Sequence, residues 1–136
     1  MTGRVAIVTG ASSGIGLGIT HALLERGYRV VANSRTISAS RDLRPSERLV
    51  LVDGDIGKKE TATKVADAAV KHFDHIDLLV NNAGIYLPKP FTEYTPEDFE
   101  RMISTNVAGY FFVTQLVVSH MRQRKSGHKR EKFSLR

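Results

Sequence analysis

The sequence contains no cysteine. This absence excludes disulfide bonds, thiolate zinc sites and a cysteine nucleophile, and it fits a reducing compartment. No stretch approaches the roughly 20 consecutive apolar residues that cross a bilayer. No charged segment followed by an apolar one precedes the first apolar run, which begins at Arg4, so no secretory signal is evident. We therefore expect a cytoplasmic protein with no membrane partner.

Most of the chain also lacks an excess of charge of either sign. Residues 1–120 carry 13 basic and 13 acidic side chains, whereas residues 121–136 carry seven basic side chains and one acidic one. The net charge of +6 therefore lies entirely in the last segment. A neutral body has no basic face that would follow a phosphate backbone, so we expect no nucleic-acid partner.

Short apolar runs alternate with amphipathic segments along the 136 residues. Nearly continuous apolar runs predict buried parallel strands at residues 4–9, 28–32, 48–52 and 76–80. Helical spacing predicts helices over 14–26 and 58–73 and a long helix from Pro96, capped by Thr95, to about Arg124. A polar stretch with Pro45 predicts a short, irregular second crossover. The alternation predicts an α/β fold, a partial Rossmann doubly wound parallel sheet in the order 3-2-1-4 with helices on both faces.

A glycine-rich turn joins the first predicted strand to the first predicted helix. It reads Thr-Gly-Ala-Ser-Ser-Gly-Ile-Gly over residues 9–16. Glycines allow a sharp turn and let a pyrophosphate approach backbone N–H groups at the positive end of a helix. The spacing differs from G-x-G-x-x-G, and no lysine follows to form a P-loop. The turn favours a dinucleotide site, and a turn needed only for close packing is the alternative.

Two further motifs follow in order, Asn-Asn-Ala-Gly at 81–84 and Thr-Asn-Val-Ala-Gly at 105–109. Together with the glycine turn they resemble the classical short-chain dehydrogenase/reductase family, from Arg4 to about His128. The resemblance covers about the N-terminal half of that family's fold. It implies that residues 1–128 bind a nicotinamide dinucleotide at the carboxyl ends of the strands. It also implies hydride transfer to or from a small-molecule carbonyl or alcohol, and it leaves residues 129–136 as a basic tail outside the family.

The resemblance assigns cofactor contacts to individual residues. Asp55 matches the aspartate that binds the adenine amino group, beside the backbone of Ile56, and the neighbouring Asp53 is the alternative. Asn106 matches an asparagine that supports catalysis by holding the water and backbone linked to the catalytic lysine, and a plain polar helix residue is the alternative. The residues implied to frame the phosphates and ribose are Gly10, Ser12, Ser13, Gly14, Ile15, Gly16, Asn82, Ala83 and Gly84.

The end of the second strand bears on cofactor preference. Family members that prefer NAD place an acid there for the ribose 2′-OH, whereas a basic group accommodates the 2′-phosphate of NADP. This chain has Asn33, Ser34 and Arg35 and no acid. We predict NADP(H) over NAD(H), with Arg35, Ser34 and the hydroxyls of the glycine turn near the 2′-phosphate. A solvated loop charge is the alternative role for Arg35.

The family's catalytic Ser and Tyr-x-x-x-Lys have no counterpart here. Four residues beyond the four tyrosines stand Ala32, Pro90, Asp98 and Thr114. The family pattern continues after His128 into a fifth apolar strand, whereas residues 129–136 contain no apolar run. We therefore expect a truncated or frameshifted product that cannot catalyse the family's reaction and that self-associates or forms a homo-oligomer. A non-catalytic dinucleotide-binding or interaction module is the alternative.

Two pairs of polar residues flank the fourth predicted strand. His72 and His75 have no third ligand in view, so we predict no metal site. Asp74 and Asp77 are interpreted as a solvated turn.

Overall fold

The computed structural model describes residues 3–125, so the predicted basic tail at 129–136 lies outside the described residues. Its centre is a parallel four-stranded sheet in the order β3-β2-β1-β4, which confirms the predicted topology. The strands are β1 (Val5–Thr9), β2 (Arg29–Ser34), β3 (Leu49–Asp53) and β4 (Leu78–Val80). Compared with the predicted runs, β2 continues two residues further, to Ser34, and β4 begins two residues later, at Leu78. The later start of β4 reflects the pairing with β1, whose ladder runs from Ala6 opposite Leu78 to Val8 opposite Val80.

Helices cover both faces of the sheet, as the sequence predicts. Their bounds are α1 (Gly14–Glu25), α2 (Lys59–Phe73), α3 (Pro96–Ile103) and α4 (Gly109–Lys125). Alternate residues of β1 divide between the faces, because successive side chains of a strand point to opposite sides. Val5 and Ile7 belong to the core under α2 and α4, which includes Phe73 and Val113. Ala6 and Val8 belong to the core under α1, which includes Leu23.

The crossovers contain short helical turns that the sequence does not specify. A 3₁₀ turn at Ile37–Ala39 occupies the second crossover, which is irregular as predicted, and another at Phe91–Glu93 precedes α3. Thr95 caps α3 in a capping box, accepting from the amide of Asp98 while the Asp98 carboxylate accepts from the amide of Thr95. The predicted single long helix is divided by a π-helical turn at Ser104–Ala108, between α3 and α4. We call this segment the π turn.

Asp77 corrects one sequence interpretation. Its carboxylate accepts the amide N–H of Val5 at 2.8 Å and lies 2.9 Å from His75 Nε2 and 3.3 Å from Arg124 Nη1. The solvated-turn interpretation is therefore wrong for Asp77, which ties the start of β1 to β4. It holds for Asp74, whose side chain is 87% exposed.

The helical segment Pro96–Arg124 has a window of mean hydropathy 1.3. By length and composition it could cross a membrane, although polar residues interrupt it and it contains no run of about 20 consecutive apolar residues. One such helix is weak support for a span, because core helices of water-soluble proteins satisfy the same two criteria. In the fold Val113, Val117 and Met121 of this segment pack against the sheet.

Candidate functional site

The loops that follow the strands meet at the carboxyl edge of the sheet around a cavity of about 130 Å³. In a doubly wound sheet ligands bind at this edge, at the switch point where the strand order reverses, which lies here between β1 and β4. Seven of the sequence-predicted cofactor residues line the cavity, namely Gly10, Ser34, Arg35, Asp55, Ile56, Ala83 and Gly84. Three further residues complete the lining, Asn33, Gly54 and Thr105.

The glycine loop between β1 and α1 fits this edge because two of its glycines have no room for a side chain. A Cβ on Gly10 would lie 2.8 Å from the Cα of Ala83, and one on Gly16 would overlap the carbonyl oxygen of Gly10. Gly14 differs, since no atom lies within 4 Å of the position its Cβ would take, but its φ of +55° favours glycine. The space beside Gly14 is therefore open to a ligand.

Residues after β4 hold the glycine loop in place. The buried hydroxyl of Thr9 accepts the amide N–H groups of Asn82 at 3.1 Å and Ala83 at 3.0 Å. The side-chain amide of Asn82 donates to the carbonyl of Gly10 at 2.9 Å. The Asn-Asn-Ala-Gly motif thus braces the loop through its backbone and one side chain.

The amino end of α1 carries the properties of an anion site. Ser13 is its N-cap residue but makes no side-chain cap hydrogen bond, and the first turn holds no acidic residue. The first N–H groups of a helix are without intrahelical partners and carry a partial positive charge. Ser12, Ser13, Gly14 and Ile15 all lie at this end, and Ile15 is 76% exposed. A phosphate group suits this position.

The structure places the two candidate adenine-binding aspartates differently. Asp53 lies outside the cavity lining, and its carboxylate accepts from the hydroxyl of Ser38 at 2.5 Å and from the amide of Ser38 at 2.8 Å. These bonds hold the pKa of the Asp53 carboxyl below its usual value. Asp55 lines the cavity, and its Oδ1 accepts the amide N–H of Gly57 at 2.9 Å.

Asn106 lies in the π turn and grips the loop that follows β4. Its Oδ1 accepts the amide N–H of Ile85 at 2.8 Å, and its Nδ2 donates to the carbonyl of Ile85 at 3.0 Å. The side chain thereby pairs with both backbone groups of one residue, as a neighbouring strand would. These two bonds tie the π turn to the loop that follows β4.

The sequence analysis assigned no cofactor contact to three of the lining residues, Asn33, Gly54 and Thr105. Asn33 is buried in β2, and its Nδ2 donates to the carbonyls of Val52 at 2.9 Å and Gly54 at 3.2 Å. A polar residue in an otherwise apolar strand was the available signal. For Thr105 the sequence offered no indication of a place in the cavity wall other than its position in the Thr-Asn-Val-Ala-Gly motif, beside Asn106. Among residues 3–125, no group of three or more His, Asp or Glu side chains is placed to hold a metal ion.

The strand order, the glycine loop and the braced Asn-Asn-Ala-Gly segment define a dinucleotide-binding α/β fold. The family described as short chain dehydrogenase matches residues 4–128 of the sequence. The chain therefore belongs to the short-chain dehydrogenase family, an oxidoreductase family that uses nicotinamide dinucleotides.

Two curated relatives support this membership. The chain is 35% identical over 128 residues to the hydroxynaphthalene reductase-like protein Arp2 of Metarhizium robertsii, a match that covers 90% of this chain and 48% of the relative. It is 34% identical over 129 residues to the versicolorin reductase stcU of Emericella nidulans, covering 90% of this chain and 49% of the relative. The chain thus spans about half the length of these curated relatives.

Solved structures show the same fold. A 3-ketoacyl-(acyl-carrier-protein) reductase from Brucella melitensis, complexed with NADH, superposes with a TM-score of 0.87 at 30% identity, covering 98% of this chain and 56% of that one. A short-chain dehydrogenase from Streptomyces avermitilis superposes with a TM-score of 0.85 at 28% identity, covering 99% of this chain and 49% of that one.

Proposed function

We propose that this chain is the NADP(H)-binding part of a short-chain dehydrogenase. The observation that carries the proposal is the cavity at the carboxyl edge, lined by Arg35 and Ser34 from the end of β2. Asp55 is the one acidic residue of that lining. It comes from the loop after β3, so no acid at the end of β2 competes for the adenosine ribose.

Different residues of the chain suit different parts of the cofactor. The amino end of α1, with Ser12 and Ser13, suits the diphosphate, since its N–H groups and the open space beside Gly14 face a ligand there. Asp55 and Ile56 suit the adenine ring. Asn82, Ala83 and Gly84 suit the ribose on the nicotinamide side. The nicotinamide, once bound, supplies the hydride chemistry of the family.

Arg35 supports a preference for NADP(H). Its side chain is exposed and makes no hydrogen bond or ion pair with the rest of residues 3–125. A guanidinium offers paired N–H donors that match phosphate geometry, and a 2′-phosphate distinguishes NADP from NAD. The Brucella reductase is described in complex with NADH, so the preference depends on the residues of this chain.

Titration of both cofactors tests the preference. NADPH and NADH are titrated into the chain while the fluorescence of the bound nicotinamide is followed. We expect NADPH to bind more tightly, and Arg35→Glu to weaken NADPH binding by about tenfold while leaving NADH binding nearly unchanged. Arg41→Glu is the matched control, since Arg41 is exposed and outside the cavity lining. Equal affinity of the unmutated chain for the two cofactors refutes the preference.

We further propose that the 136-residue chain by itself does not reduce carbonyl compounds. None of its tyrosines is followed by lysine four residues later, and general acid–base assistance contributes roughly 10²- to 10⁴-fold. The purified chain is assayed with NADPH and a panel of ketones. Turnover proportional to the amount of chain refutes the proposal. In the whole protein the proposed reaction is hydride transfer between the nicotinamide and a carbonyl or alcohol.

Self-association is the third part of the proposal, and the exposed apolar surface supports it. One stripe runs along α3, the π turn and α4, with 41–59% of each residue exposed: Phe99, Ile103, Val107, Tyr110 and Phe111. Contiguous exposed apolar patches larger than a few hundred Å² are typical of interfaces. The same stripe favours the alternative of a nucleotide-binding interaction module. For the location of the chain we propose the cytoplasm, supported by the lack of cysteine.

A further inference from the structure

The π turn fits against the loop after β3 at a point where only glycine has room. A Cβ on Gly57 would lie 2.5 Å from the Oγ of Ser104 and 2.7 Å from its carbonyl oxygen. Side chains in a packed interior cannot approach so closely without displacing their neighbours. Ser104, the first residue of the π turn, therefore sits where the side chain of any other residue at 57 would be.

A second contact joins the same two segments. A Cβ on Gly109, just after the π turn, would lie 2.8 Å from the Cγ2 of Ile56. Ile56 and Asp55 line the cavity, and the Asp55 carboxylate accepts the amide N–H of Gly57. The loop 55–57 and the π turn thus touch at both ends of the turn, and the loop itself belongs to the proposed nucleotide site.

Two consecutive residues of the π turn, Thr105 and Asn106, make contacts with two different parts of the site. Thr105 lines the cavity. Asn106 binds both backbone groups of Ile85, and a Cβ on the cavity residue Gly84 would lie 3.2 Å from its Oδ1. A π turn accommodates one more residue per turn than an α-helix and recurs at functional sites. Any shift of the turn therefore moves both contacts together.

We propose that Gly57 is a positioning residue for nucleotide binding. By admitting Ser104 it seats the π turn, and the seated turn places Thr105 in the cavity wall and Asn106 on Ile85 as one unit. Thr105 is accordingly a nucleotide-binding residue. The inference rests on the proposed function for its binding readout, but the seating of the turn can be measured without any nucleotide.

The test compares Gly57→Ala with Gly18→Ala in the 136-residue chain. Gly18 lies in α1 with no atom within 4 Å of the position of its Cβ, so it is the matched control. Two quantities are measured: the Kd for NADPH from fluorescence, and the hydrogen-exchange rate of the Ile85 amide, which donates to Asn106. We expect Gly57→Ala to weaken NADPH binding by roughly tenfold and to speed Ile85 exchange, because the added methyl group overpacks the contact. Gly18→Ala should change neither quantity.

Two further variants separate the seating of the π turn from the contact between Thr105 and the nucleotide. Thr105→Ala should weaken NADPH binding without changing Ile85 exchange. Ser104→Val crowds the same contact from the other side and should reproduce both effects, so it replaces Gly57→Ala if that variant does not fold. Unchanged Ile85 exchange in the folded variant overturns the inference. If the unmutated chain binds neither NADPH nor NADH, the proposed function fails, while Ile85 exchange in the nucleotide-free chain still decides whether Gly57 seats the turn.

Discussion

The two edges of the sheet differ in how their outward hydrogen-bonding groups are used. On β3, every second residue faces β2, as the bonds from Val30 to Arg48 and from Gly54 to Ser34 show, so Leu49, Leu51 and Asp53 face outward. Leu49 exchanges backbone bonds with Ser46 at 3.3 and 3.0 Å. The carbonyl of Asp53 accepts from Lys64 Nζ at 3.4 Å. In the described part of the chain, the backbone groups of Leu51 and the amide of Asp53 are left without a contact of this kind.

The β4 edge has no such cover within residues 3–125. Val5 directs its amide and its carbonyl toward β4, so in this register Leu78 and Val80 bond to β1 and Leu79 presents its amide and carbonyl to the outside of the sheet. β4 pairs with β1 alone, and it is apolar. Unpaired apolar edges promote pairing with other chains, whereas natural edges are usually blocked by charges or extra contacts. We therefore expect another strand to pair with the β4 edge more readily than with the β3 edge.

The largest effect expected from this comparison comes from a charged side chain at each edge. A lysine on an edge strand opposes pairing with an incoming strand, because pairing would bury its charge. Leu78→Lys should shift the isolated chain from oligomer toward monomer, raising the dissociation constant by roughly tenfold. Leu51→Lys, at an equally half-buried residue of the other edge, should leave association unchanged. Sedimentation velocity measures both.

Circular dichroism of both lysine variants controls for unfolding. Leu78→Glu, which places a charge of the opposite sign at the same position, offers a second route to the same result. Equal loss of association in the two lysine variants would contradict the difference between the edges.

A smaller effect is expected at the apolar stripe on α4. Phe111 is 53% exposed, so Phe111→Ser should lower self-association less than Leu78→Lys does, with little change in the free energy of unfolding. Gln115→Ser is the control, since Gln115 is exposed on the same helix. Gel filtration over a range of concentrations gives the association, and urea unfolding gives the stability. A larger effect at Phe111 than at Leu78 would make the stripe the main interface.

The smallest expected effect concerns pH and the β3 edge. The hydroxyl and amide of Ser38 lower the pKa of Asp53 at the end of β3. A carboxyl with a lowered folded-state pKa stabilises the fold above its unfolded pKa of about 3.9, and this contribution is lost as pH falls through the folded-state pKa. Ser38→Ala should therefore raise the pKa of Asp53 and make stability less dependent on pH below about 4.

Carboxyl-carbon NMR titration of Asp53 measures that change directly. Asp98 is an internal reference, because its pKa is lowered by Lys89 and Thr95 and not by Ser38. A shift of both carboxyls in Ser38→Ala would show a general change of the fold in place of a local one. No shift at Asp53 would mean that the Ser38 bonds do not form in solution.

The sequence predicted those features that depend on apolar pattern and glycine spacing. Buried strands such as Val5–Thr9 are apolar throughout, and the glycine loop needs residues without side chains at fixed positions, so both leave a local signal. The 3-2-1-4 order followed from the handedness of crossovers. The seven predicted residues around the cavity followed from motif positions and not from any local rule.

The features that the sequence did not predict depend on contacts between distant segments. The π turn interrupts a segment with continuous helical propensity, and its partners Gly57 and Ile85 lie far away in sequence. The role of Asn33 likewise depends on the carbonyls of Val52 and Gly54 in a neighbouring strand and loop. Tertiary contacts override local preference at such places, and the hydrophobic periodicity of the sequence does not indicate them.

The bond from Asn82 to the carbonyl of Gly10, described above as bracing the glycine loop, spans 72 residues of sequence. Such a contact forms only after the chain has closed a large loop, which is entropically costly and slow. We therefore expect the amino end of α1, where we propose that phosphate binds, to be completed late in folding, once β4 has joined β1. A nucleotide that binds only the finished loop should then slow unfolding and leave the rate of refolding unchanged.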